Sequence, residues 1–188
     1  MKIQKLIFAL IILSVLSCSK DDDTVIVEAA PEYPMKSLME AGVMELKSTK
    51  VNGINTHEIG YRFKAFKNGK ITALGIRVPE NDTYRVTLWN ADTQEILKTA
   101  YIDSTSGLLS FEDIEPINIS SGTEYYVAVN TNDYYVFNDN GNPMFPVESH
   151  NILIVGYSAQ FGANQALPVN VIKTAYLGMV DVKFVPNN

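Results

Sequence analysis

From Glu58 onward the chain is written in short segments whose apolar positions alternate with polar ones, and turn residues separate them. In EIGYRFKAF, Ile59, Tyr61, Phe63 and Ala65 share one face of an extended strand. Asn68-Gly69 follows, the dipeptide favoured in a tight hairpin turn. ITALGIRVP puts Leu74, Ile76 and Val78 in phase, and Glu80-Asn81-Asp82 predicts a turn. YRVTLWNA does the same with Tyr84, Val86 and Leu88 before a turn at Ala91-Asp92-Thr93-Gln94. EILKTAYI, GLLSFEDI, INIS, TEYYVAVNTN and NILIVGYSAQF continue the pattern, which closes on GMVDVKFVP with Val180, Val182 and Phe184 in phase. Strands at this spacing, with no amphipathic helix between them, predict an all-β domain over 58–186, an antiparallel β-sandwich of jelly-roll or immunoglobulin-like type.

Two stretches depart from the alternation. In PMKSLMEAGVMELKS the apolar residues Met35, Leu38, Met39, Val43 and Leu46 fall at helical spacing, while Gly42 interrupts it. Residues 35–57 therefore read as either a short helix packed on the domain or a first edge strand. The second is TNDYYVFNDNGNPMFPVESH, rich in Asn, Asp and aromatics and broken by Pro143 and Pro146. It predicts a long irregular loop over 131–150, the kind of segment that carries binding residues in a compact β domain.

The N-terminus follows a different logic. MKIQK is followed by LIFALIILSVLS, an apolar run of about a dozen residues where a membrane-spanning helix needs ~20. Two lysines, an apolar stretch and a small-residue boundary predict a cleaved signal peptide over 1–17. Val15-Leu16-Ser17-Cys18 resembles the lipobox of bacterial lipoproteins, which implies that Cys18, the chain's one cysteine, carries acyl groups such as palmitate. Two or three such chains anchor a protein stably. Ser19-Lys20-Asp21-Asp22-Asp23 resembles the export signal of Bacteroidetes lipoproteins, implying display on the outer face of the outer membrane. Residues 18–34, acidic and interrupted by Pro31 and Pro34, then form a flexible lipidated tether.

Charge and cysteine usage narrow the function classes. Loss of Lys2 and Lys5 with the signal takes the net charge from −6 to −8, and the chain has no basic cluster, so a nucleic-acid partner is not expected. A single cysteine leaves no disulfide framework. The two histidines, His57 and His150, have no ligand spacing around them, so neither a His-based metal site nor a nucleophilic triad is expected.

The best candidates for contact with a ligand lie in the irregular segment: Asp133, Tyr134, Tyr135, Phe137, Asn138, Asp139 and Asn140. Flat rings beside amide and carboxylate groups suit saccharides, whose apolar faces stack while their hydroxyls exchange hydrogen bonds; the competing reading is a loop whose aromatics staple it onto the sandwich. Asp139-Asn140-Gly141-Asn142 has oxygen ligands around a glycine but lacks the alternating acids and terminal glutamate of an EF-hand, so it reads as a plain turn, with a structural calcium as the alternative; no other cofactor is expected. Trp89 points away from the apolar face of its strand, either stacking on a sugar or buried in a second packed layer.

The ordered set Glu58-Ile59-Gly60-Tyr61-Arg62-Phe63, Gly69-Lys70-Ile71-Thr72-Ala73-Leu74-Gly75-Ile76-Arg77, Thr87-Leu88-Trp89, Ile119 to Val127 and Val180 to Phe184 resembles a bacterial β-sandwich family of unknown function. That family occurs as modules in surface and carbohydrate-active proteins. The resemblance implies a sandwich and brings no catalytic residue. The resulting expectation is a non-catalytic, lipid-anchored cell-surface protein binding glycan or another extracellular ligand through its loops. The alternatives are a structural or adhesive subunit docking other envelope proteins and, third, a glycan hydrolase.

Overall fold

The computed structural model describes residues 28–42, 49–138 and 141–188. Residues 1–17, Cys18, Lys20, Asp21, Asp22, Asp23, Val43, Leu46, Asp139 and Asn140 lie outside the described residues. One helix, α1 (Pro34–Glu40), precedes the strands β1 (Thr49–Ala65), β2 (Gly69–Ile76), β3 (Thr83–Asn90), β4 (Glu95–Asp103) and β5 (Ser110–Ile119). Then come β6 (Glu124–Asn138), β7 (Val147–Ser149), β8 (Ile152–Phe161), β9 (Ala175–Leu177) and β10 (Val180–Pro186).

These strands form an antiparallel β-sandwich, as the alternation predicts. The larger sheet runs β4-β3-β6-β1-β8-β7, with β9 added beside the far end of β6, and the smaller runs β10-β2-β5. The in-phase residues of each segment meet between the sheets: Tyr61, Phe63, Leu74, Ile76, Val86, Leu88, Val182 and Phe184 are all fully buried. Each such side chain contributes roughly 1.5–3 kcal/mol by leaving water, which makes this shared face the main source of stability. The pairing of β1 with β6 depends on close approach. A Cβ on Gly60 would sit 1.8 Å from the Val127 carbonyl oxygen, so β1 and β6 can lie this near only with glycine there.

Asn68-Gly69 is not a hairpin turn. β1 belongs to the larger sheet and β2 to the smaller, so the connection crosses the core rather than reversing beside its own strand. Neither Asn68 nor Gly69 adopts the positive φ that a type I′ turn requires. Instead the Asn68 side-chain oxygen accepts from Ser121 N at 2.8 Å, fastening the crossing to the β5–β6 turn. By contrast Ala91 to Gln94 does close a hairpin between β3 and β4.

Residues 131–138 are not a loop. β6 runs on through Asn138, and its outer half pairs with 49–52 of β1 and with β9. Both partners are distant in sequence, so a ladder forms where composition alone reads as irregular. β1 correspondingly begins at Thr49 and bulges between Asn52 and His57 before regular pairing resumes.

Within 35–57 both readings hold for a part: residues up to Glu40 belong to the helix that starts at Pro34, and Thr49 onward belongs to β1. Tyr33 supplies no side-chain cap. The Asp181 carboxylate of β10 does so from across the core, accepting from Met35 N at 3.1 Å and Lys36 N at 2.9 Å. Pro34 suits the first helical position because its missing N–H needs no partner there. Met35 and Leu38 are buried beneath the helix.

Outside the larger sheet, residues 162–171 form a strap. Arg85 donates to the Ala163 carbonyl, Arg62 to that of Pro168, and Asn130 to that of Gly162. Beneath it the buried Glu58 carboxylate pairs with Arg85 at 2.7 Å, and its desolvation still pushes its pKa above the ordinary value.

Candidate ligand-binding site

The sequence-selected residues separate into three groups once placed in the fold. Trp89 is 1% exposed, tilted against Tyr126 at 5.3 Å under the strap, with Leu167 packed on both. It is a second-layer core residue and has no face free for a sugar. Asp133 is also buried: its carboxylate accepts from the Tyr84 hydroxyl, the Thr131 hydroxyl and Glu80 N, all at 2.7–2.8 Å. Every donor comes from the protein itself, so this carboxylate is a structural node. Phe137 packs against the main core, and Tyr135 lies under the Arg77 guanidinium at 5.7 Å from its ring centre. Asn138 ends β6 beside Ala175. Asp139 and Asn140 are outside the described residues, as are Cys18, Lys20 and Asp21 to Asp23.

Tyr134, in contrast, lines a cleft. Its volume is about 250 Å³, and its apolar floor is Ile59, Ala159, Ile172 and Leu177. His57 and Phe161 join Tyr134 as an aromatic rim, and the amides of Gln160 and Asn170 stand beside them. His57 and Phe161 are directly opposed across β1 and β8. Their rings meet edge to face at 4.4 Å and 87°, and the Tyr134 ring lies 6.0 Å from His57 at 69°. The Gly162 N–H donates to the Thr56 carbonyl at 2.9 Å, which holds the end of β8 against the bulge of β1.

Phe161 is 80% exposed although it is large and apolar. It is in phase with Tyr157, whose ring is fully buried, so the same strand face passes from core to rim. His57 contributes differently. Its Nε2 is buried with no hydrogen-bond partner, and burial lowers its pKa, which keeps the imidazole neutral at pH 7. The rim thus presents three rings without a formal charge, and none of the lining residues is a carboxylate. Such a surface can stack on an apolar face and exchange hydrogen bonds with hydroxyls at its amide edge.

Sequence reasoning passed over His57, Gln160, Phe161 and Asn170. In the sequence His57 is a lone histidine without ligand spacing, which gives no sign of a place in an aromatic rim. Phe161, standing one step past the buried positions of its strand and just before Gly162, carried a faint signal of its exposure.

Among the described residues no group of three His, Cys, Asp or Glu side chains is placed to hold a metal ion. His150 is far from any such role: its Nε2 faces the Ser37 hydroxyl at 3.3 Å. No helix among the described residues is long and apolar enough to cross a membrane.

A comparison with curated proteins finds no match. A family model described as a domain of unknown function, DUF4082, matches residues 45–176, from just before β1 into β9, leaving β10 beyond it. With most of its length matched, the chain belongs to the DUF4082 family.

Proposed function

We propose that this protein is a non-catalytic, lipid-anchored surface protein that binds a saccharide in the cleft formed by His57, Tyr134 and Phe161. The observation that carries this reading is Phe161, a ring left 80% exposed at the rim of a preformed cleft whose polar groups are amides. Leaving such a ring in water sacrifices burial of the order of 1.5–3 kcal/mol, a cost recovered when a sugar face covers it. A volume of about 250 Å³ suits one terminal sugar rather than a chain laid along a groove. The lack of a carboxylate in the lining favours binding over hydrolysis, which uses two acids flanking the scissile bond.

Screening the protein against a glycan array tests the reading. Binding to a defined terminal sugar, lost in Phe161→Ala and in Tyr134→Ala, is the expected result. An array on which the wild type binds nothing overturns it, and retrieval of one envelope protein in its place would favour the docking alternative.

The lipid anchor rests on the sequence around Cys18 and on the acidic run after it. Labelling with a radioactive fatty acid should mark the wild type and not Cys18→Ala. Protease accessibility on intact cells, lost when Asp21, Asp22 and Asp23 are replaced by alanine, tests outward display.

A further inference from the structure

A second concavity, of about 390 Å³, lies between α1 and the β4–β5 connection and shares no lining residue with the aromatic cleft. Met39, Leu109 and Met179 make it apolar, and Leu108, 60% exposed, forms its lip. The connection is held by its own turn and by the segment after β2. Gly107, at φ 71°, donates its N–H to the Val78 carbonyl at 2.8 Å, and Leu108 N donates to the Thr105 carbonyl at 2.8 Å. The groove therefore exists before anything enters it.

Arg77, directly after β2, stands in its wall. Its Nε donates to the Gly107 carbonyl at 2.6 Å, and its guanidinium carbon lies 5.7 Å from the centre of the Tyr135 ring. These two contacts orient the guanidinium plane. Its two terminal Nη groups make no hydrogen bond and no ion pair among the described residues. The other charges of the lining largely cancel, since Lys36 faces Glu40 at 3.9 Å and leans over the Tyr33 ring.

A guanidinium fixed through Nε, with both Nη donors unused and methionine and leucine side chains beside it, matches a planar oxyanion attached to an apolar body. Carboxylate is the group whose two oxygens fit the guanidinium fork. We propose that this groove binds a small amphiphilic carboxylate, its two oxygens on Arg77 Nη1 and Nη2 and its hydrocarbon chain along Met39, Leu108, Leu109 and Met179. The net positive lining supplies the charge complementarity, and the volume falls within the range of small-molecule sites.

Titration calorimetry of the full chain carrying Cys18→Ala, with octanoate and octanol as matched probes at pH 7.5, tests this. Octanoate should bind about tenfold or more tightly than octanol, the effect of one charge-assisted pair. Arg77→Gln should bring octanoate down to the octanol level, while Leu108→Asp, at an exposed position, should weaken both probes and leave the thermal midpoint unchanged. Phe161→Ala should alter neither. Equal affinity for the two probes, or no saturable binding of either by the wild type, overturns the proposal. It stands or falls apart from the saccharide cleft.

Discussion

Asp133 Oδ1 accepts the hydroxyl of Tyr84 at 2.8 Å, joining β6 to β3 inside the sandwich. The same carboxylate takes the Thr131 hydroxyl and, through Oδ2, the N–H of Glu80, so one buried carboxylate ties two strands to the β2–β3 crossing. Removing the acceptor takes a bond from the Tyr84 hydroxyl and from the Glu80 N–H, while the Thr131 hydroxyl keeps the Asp133 carbonyl at 2.7 Å. Asp133→Ala should therefore destabilise the protein by about 3 kcal/mol, and Tyr84→Phe, which leaves the other two bonds, by about 1 kcal/mol. Urea unfolding of the two single variants and the double should show coupling between them, since they share a bond.

Asp181 links stability to pH. Burial raises its pKa from 3.8 to about 7, against the opposing pull of the Lys36, Met35 and Val182 N–H groups. Between those two values the folded chain keeps a proton that the unfolded chain has released. Unfolding then sheds protons, so stability falls as pH rises through this window, by up to about 1.4 kcal/mol per pH unit, and the contribution is complete below pH ~4. Denaturant unfolding from pH 4 to 8 should show this decline, and Asp181→Asn should flatten it. An equal slope in both proteins would contradict the assignment.

Trp89 is the chain's one tryptophan, so its fluorescence reports on the strap alone. Emission should be blue-shifted, poorly quenched by iodide and unmoved by a bound sugar. Trp89→Ala should cost about 3–5 kcal/mol, the usual loss for a large ring in a packed layer.

Phe161 should behave in the opposite way. With its ring largely in water, Phe161→Ala should shift stability by no more than about 0.5 kcal/mol while removing saccharide binding. A large loss of stability would mean that the ring holds the end of β8 rather than serving a ligand.

Much of the architecture could be read along the chain. The period-two phase of Ile59, Tyr61 and Phe63, of Leu74 and Ile76, and of Val180, Val182 and Phe184 marks residues that are all buried. That phase reports which face of a strand leaves water, a local property. It does not report which strand lies alongside, and this is where Asn68-Gly69 misled. The dipeptide suits a reversal, but β1 finds its neighbours in β6 and β8, far along the chain. The same limit explains 131–138, whose ladder depends on residues 49–52 and 175–177.

The candidate site shows the limit most clearly. Tyr134 is recognisable as an aromatic among polar residues, yet its neighbours Asp133 and Tyr135 have other duties and its companions in the cleft come from β1, β8, β9 and the segment from Asn170 to Ile172. Composition and alternation alone establish an acidic chain, a strand-rich domain, its inward faces and a lone cysteine directly after an apolar run. Which aromatics are buried and which stay wet depends on coverage by distant segments: the strap shields Trp89, while Phe161 stays 80% exposed. Coverage is a long-range property, because a side chain leaves water only when some other part of the chain arrives to replace it.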